Sequence, residues 1–312
     1  MTPDLSVTIG RLKLKNPVMV ASGTFGYAEE FKDFIDLRRL GAVVSKTITV
    51  KPRPGNPPPR TCETPAGMLN SIGLENPGLE KFLKTKLPVL KKSGVPVIVS
   101  IASEGDPEEF VFLARKLDRA AGVAAMELNI SCPNIRNVTR HTSSVTRLIS
   151  QDARATFEAV KAVRKATRKT LITKLSPNVT DIVEIAKAAE DAGSDALALI
   201  NTLMGLSIDI QTRKPKIAMG VAGLSGPAIR PVAVRMVWEV YKKVRIPLIG
   251  MGGIIDTESA LEFILAGATA ISVGTANFVN PRACAGIIQG LKDYMHKNAA
   301  RDMQSLTGGI NM

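Results

Sequence analysis

Short apolar runs recur along the chain, each followed, directly or after a loop, by a stretch in which apolar residues return every three or four positions. The first pattern is that of a buried strand and the second that of an amphipathic helix. Strands are predicted at 17–21 (PVMVA), 42–46 (AVVSK), 96–101 (PVIVSI), 123–130 (VAAMELNI), 170–175 (TLITKL), 195–200 (DALALI), 246–250 (IPLIG) and 269–274 (TAISVG). Helices are expected from EEFKDFIDLRRL, DPEEFVFLARKLDRA, TDIVEIAKAAEDAG and TESALEFILAGA. The last two open on Thr180 and Thr257 and close on Gly193 and Gly267, in the manner of capped helices. Eight alternations of strand and helix predict the α/β class and a closed (β/α)8 barrel, as one domain over residues 1–312.

Two connections are too long to serve only as connections. Residues 47–76 leave strand 2 through the proline-rich KPRPGNPPPR, and residues 201–225 leave strand 6 through NTLMGLSIDIQTRKPKIAMGVAGLS. Both depart from the barrel face on which active sites are built. The opening LSVTIGRLKLKN reads as a small hairpin closing the opposite end.

Polar residues at the carboxyl ends of barrel strands point into the catalytic mouth. Those ends here carry Ser22, Lys46, Ser100, Asn129 to Asn134, Lys174, Asn201, Gly250 to Gly253, and Gly274 with Thr275. The glycines of GMGGI and VGT, after strands 7 and 8, suit a phosphate cradle built from exposed backbone amides. Lys46 and Lys174 end buried strands, where an ammonium is costly unless it meets negative charge. In NISCPN, Cys132 stands between two carboxamides, Asn129 and Asn134, which can bracket a planar polar ligand while a thiol takes or gives a proton. A thiol of ordinary pKa, about 8.5, is mostly protonated at neutral pH, so activity through Cys132 should rise toward alkaline pH.

Composition narrows the reading further. With only His141 and His296, neither at a strand end, histidine triads and histidine-rich metal sites are unexpected, and no metal is assigned. Cys62, Cys132 and Cys284 form no CxxC pair. That argues for a reducing compartment and against an iron–sulfur cluster held by this chain alone. No signal-like N-terminus and no long apolar span is evident, so a soluble, cytoplasmic protein is expected. The net charge of +13 is spread along the chain and aromatics make up 4%. A nucleic-acid reader would present stacking platforms, so an anionic substrate, a phosphate-bearing cofactor or an acidic partner explains the charge better.

The stretches NPVMVASGTFG, VSKT, ETPAGMLNSIGLENPG, NISCPN, KLSPNVTDI, INTLMGLSIDIQTRKP, GLSGPAIRP, IGMGGI and SVGTANF, in this order, resemble the class 1 dihydroorotate dehydrogenases. The resemblance is closest to the type whose catalytic subunit pairs with an iron–sulfur flavoprotein subunit. It implies one FMN per chain, its phosphate at Gly252, Gly253, Gly274 and Thr275, and the rest lined by Ser22, Lys46, Thr47, Asn129, Lys174, Ile200 and Gly226. It implies dihydroorotate held by Lys46, by Asn70, Ser71, Ile72, Gly73 and Leu74, and by Asn129, Asn134, Asn201 and Thr202. Cys132 would then take a proton from C5 while hydride passes from C6 to flavin N5. A homodimer is implied, joined to a partner subunit carrying FAD and a [2Fe–2S] centre that passes electrons to NAD, with fumarate as the other acceptor. Two departures stand out. The segment after CPN, IRNVTRHTSSVTRLISQDAR, is longer than the usual glycine-rich lid, and no glycine follows CPN until Gly193. Ser100 occupies a strand end where asparagine is common. Two other readings stay open: a flavin enzyme for another dihydropyrimidine or for dihydrouridine in RNA, and a flavin-binding barrel that no longer turns over.

Overall fold

The computed structural model describes residues 3–104, 106–131 and 148–311. Eight parallel strands close into a barrel in chain order: β1 (Val18–Val20), β2 (Ala42–Val44), β3 (Val97–Ile101), β4 (Ala125–Asn129), β5 (Thr170–Lys174), β6 (Ala196–Leu199), β7 (Leu248–Gly250) and β8 (Ala270–Val273). Each pairs with the next, and β8 returns to β1 through Ile271–Val18 and Val273–Val20. Every residue of these strands is buried, because the barrel interior covers one face and helices cover the other. That is why they read as unbroken apolar runs rather than alternating ones.

The helices confirm the period but move some of the expected ends. Asp106, Asp152, Asp181 and Asp256 each cap a helix, accepting from the amides of Glu108, Ala155, Val183 and Ser259 at 2.7–2.9 Å. The expected starts at Thr180 and Thr257 are therefore corrected by one residue. In each case the neighbouring aspartate supplies the side-chain acceptor for the first turn, and a carboxylate there also meets the positive end of the helix dipole. Gly193 and Gly267 do end their helices, with φ of 99° and 116°. EEFKDFIDLRRL is not one helix but two short turns, Glu29–Phe31 and Leu37–Arg39. Phe31 stacks on Phe25 with ring centroids 3.9 Å apart, and Asp36 caps the second turn.

The two long connections form structure of their own. Thr61–Thr64 and Gly67–Asn70 come from the first, Leu203–Gly205 and Ala222–Ser225 from the second, and together they make a four-stranded antiparallel sheet. Its strands join the excursions after β2 and β6 along the carboxyl end of the barrel. At the opposite end Val7–Ile9 pairs with Leu12–Leu14, and the amide of Arg11, at the hairpin turn, donates to Thr170 Oγ1 at the start of β5 (3.1 Å). Among the described residues no helix is long and apolar enough to cross a membrane.

Candidate active site

A cavity of about 420 Å³ opens at the carboxyl end of the barrel. Ser22, Lys46, Thr47, Asn129, Lys174, Ile200, Gly226, Gly252, Gly253, Gly274 and Thr275 line it, as do Asn70, Ile72, Gly73, Leu74, Asn201 and Thr202. The sequence thus singled out residues that the fold brings onto one wall from seven strand ends and both excursions. Ser71 is the exception: it is 1% exposed and does not line the cavity. Cys132 and Asn134 lie outside the described residues, as does most of the segment that departs from the glycine-rich lid.

The lower wall is a directed hydrogen-bond chain. Glu127, in the middle of β4 and 2% exposed, has its carboxylate 4.0 Å from Lys174 Nζ. A carboxylate only accepts, so Ser100 Oγ donates to Glu127 Oε1 (2.8 Å). Ser100 must then accept from Thr47 Oγ1 (2.9 Å), which in turn accepts from Ser22 Oγ (2.9 Å) and Asn129 Nδ2 (3.3 Å). With its proton committed inward, Ser22 offers lone pairs to the cavity. Asn129 also accepts from Ser131 (3.1 Å), and Asn201 Nδ2 donates to the same hydroxyl (2.9 Å). The two carboxamides after β4 and β6 are thereby fixed to one another through Ser131, the residue preceding Cys132.

The other end is built from backbone. Gly252 and Gly253 follow β7 with φ of 124° and 87°, and a Cβ on Gly253 would lie 2.8 Å from both Arg230 Cβ and the Gly226 carbonyl. Only glycine lets that turn form. Gly274 differs, since a Cβ there would meet protein no closer than 3.7 Å and would project into the cavity instead. Beside it Thr275 Oγ1 donates to Ser225 Oγ (2.8 Å). Ser272, on the same wall and 1% exposed, has a hydroxyl with no hydrogen-bond partner among the described residues. A glycine wall open to close backbone approach, an orphaned buried hydroxyl and a buried lysine suit a ligand with a phosphate at one end and a polar ring system at the other.

Glu127, Ser225 and Ser272 were not named from sequence, and Ser100 was named as a strand end without a role in the site. Glu127 was legible in principle as a charge in the middle of an otherwise apolar strand, where a partner is required. Ser225 and Ser272 carry no such mark. Of the other thiols, Cys284 is buried and held by Asn277 Oδ1 (3.6 Å), and burial pushes its thiol up to about 12. It contributes no thiolate at working pH.

The sequence pattern of the dihydroorotate dehydrogenase family matches residues 4–295. The dihydroorotate dehydrogenase B (NAD(+)) catalytic subunit of Geotalea uraniireducens is 50% identical over 308 residues, covering 99% of this chain and 98% of that protein. The proteins of the same description from Trichlorobacter lovleyi and Desulforamulus reducens are each 51% identical, over 310 and 312 residues. The first alignment covers 99% of both chains and the second covers 100% of both.

Proposed function

The chain belongs to the dihydroorotate dehydrogenase family, and from that premise we propose that it holds one FMN and oxidises (S)-dihydroorotate to orotate in pyrimidine biosynthesis. The observation that carries the reading is the meeting of three parts on one cavity: the glycines after β7 and β8, the lysine and asparagine wall of β2, β4, β5 and β6, and the 70–74 run. When bound, FMN supplies a two-electron acceptor for the hydride leaving C6 of the substrate. The chain's residues do the rest. Gly252, Gly253, Gly274 and Thr275 hold the phosphate, while Lys174, paired with Glu127, and the Ser22–Thr47–Asn129 cluster face the ring system. Lys46, Asn70, Asn129, Asn201 and Thr202 orient the planar substrate anion, with backbone amides of 72–74 at its edge. Cys132 takes the C5 proton as hydride leaves C6, and Asn134 contributes to substrate binding.

The relatives are described as NAD(+)-dependent catalytic subunits, and this chain has no nicotinamide fingerprint of its own. The family resemblance implies the route: electrons pass to NAD through a second subunit carrying FAD and a [2Fe–2S] centre, bound to a homodimer of this chain in the cytoplasm. An apolar strip on the excursion after β6, with Met204, Leu206 and Ile208 about half exposed and Ile210 81% exposed, is surface of the kind that subunit contacts cover. Steady-state assays with a dye acceptor test the substrate. Turnover with dihydroorotate and none with dihydrouracil or dihydrouridine-containing RNA supports the proposal; the reverse preference rejects it. The complex isolated from its source should reduce NAD and leave fumarate untouched.

A further inference from the structure

The proline-rich stretch after β2 has no part in the reaction as proposed, yet it holds the middle of the 70–74 run, at Ser71, Ile72 and Gly73. The Asn56 amide donates to the Ile72 carbonyl (3.0 Å), and Asn56 Nδ2 donates both to the Ser71 carbonyl (3.1 Å) and to Ser71 Oγ (2.9 Å). The Ser71 amide donates to the Arg60 carbonyl (2.8 Å), and Arg53 Nε donates to the Gly73 carbonyl (3.2 Å). Arg53 is itself held by Glu104, at 3.2 Å. Gly73 has a φ of 75°, and a Cβ there would fall 2.5 Å from Asn56 Cγ. The side chain of Asn56 is therefore packed against the one residue of the run that has no side chain.

These contacts explain why Ser71 is turned away from the cavity while its neighbours Asn70 and Ile72 line it. The geometry points to Asn56 as a positioning residue: its carboxamide pins Ser71 inward, and so sets the direction in which Asn70 and the 72–74 backbone face the substrate. The inference rests on the proposed role of the 70–74 run in binding dihydroorotate. Asn56 touches no substrate and acts only through that run. It should contribute to substrate and product binding alike, which raises KM without lowering kcat when it is lost.

The test uses the full flavin-loaded chain, with Asn56→Ala and Asn56→Asp compared with the parent. Aspartate keeps the shape of the side chain but cannot donate to the Ser71 carbonyl. Both variants should raise KM for dihydroorotate and Kd for orotate about tenfold, because alanine loses both hydrogen bonds to Ser71 and aspartate, though it can still accept from the Ser71 hydroxyl, sets a carboxylate against the Ser71 carbonyl. Both should keep kcat within about twofold and retain the parent's flavin content. Orotate binding is read from the flavin absorbance. An Asp variant that binds like the parent would show that Asn56 only fills space and would overturn the inference. So would a fall in kcat at unchanged KM, or an unchanged Ala variant. If the parent itself binds no orotate, the proposed function fails first and the inference with it.

Discussion

At the scale of single residues the account turns on two groups, Cys132 and Glu127. With Cys132 as the base, Cys132→Ser should slow flavin reduction by dihydroorotate about a hundredfold or more at neutral pH while flavin stays bound. The parent rate should climb with pH as the thiolate forms. Stopped-flow reduction across pH checks both, and a serine variant with an unchanged rate removes Cys132 from the mechanism. Cys284 cannot substitute for it, since burial holds its thiol near 12. In the Cys132→Ser background, iodoacetamide at neutral pH should label the half-buried Cys62 and spare Cys284, as peptide mapping would show. Glu127→Gln keeps an acceptor for Ser100 but strands the Lys174 charge in a buried site. It should cost about 3 kcal/mol of stability, much of it recovered by adding Lys174→Met, as measured by urea unfolding. The sequence marked Lys174 because a lysine ending a buried strand needs a counter-charge. It did not reveal Glu127 as that partner, because the pairing crosses from β5 to β4 and is visible only once the two strands lie side by side.

At the scale of elements, strand positions were legible to within two residues because a barrel buries both faces of every strand. Helix starts were less so, because threonine and aspartate both cap and stand side by side at 180–181 and 256–257. The difference is measurable. Asp181→Ala should cost about 1 kcal/mol, and Thr180→Ala only a few tenths. The Asp256 carboxyl is held below its ordinary range chiefly by the Ser259 hydroxyl and amide, and that of Asp118 chiefly by the Thr167 hydroxyl. A depressed folded-state value stabilises above the ordinary carboxylate range and is lost as pH falls through the folded value. The stability advantage of the parent over Asp256→Asn, which keeps a cap without a charge, should therefore shrink on acidification, as unfolding between neutral pH and pH 3 would show. The excursions after β2 and β6 were recognisable as more than connectors from their length. Their joining into one sheet was not, since antiparallel strands about 150 residues apart in sequence leave no local signal.

At the scale of the whole molecule, the fold explains why many cavity-lining residues could be named from strand ends, whereas Thr47, Ile200, Thr202, Gly226 and the 70–74 run were named only through the family resemblance. A barrel places every strand end on one rim, so residues far apart in the chain become neighbours by topology alone. What stayed illegible is contributed by residues whose types carry no chemistry of their own until a neighbour is known. Ser272, Ser225 and Asn56 are of this kind. Of the positive charge, Lys46 and Lys174 line the cavity where two anionic ligands are proposed to meet, while the rest of the +13 is spread along the chain. The central claim is that this one cavity performs a two-electron oxidation of dihydroorotate. Anaerobic mixing of the flavin-loaded chain with one equivalent of dihydroorotate tests it most directly. The account predicts that flavin absorbance bleaches with formation of orotate in matching amount; flavin that bleaches with dithionite but not with dihydroorotate would contradict it.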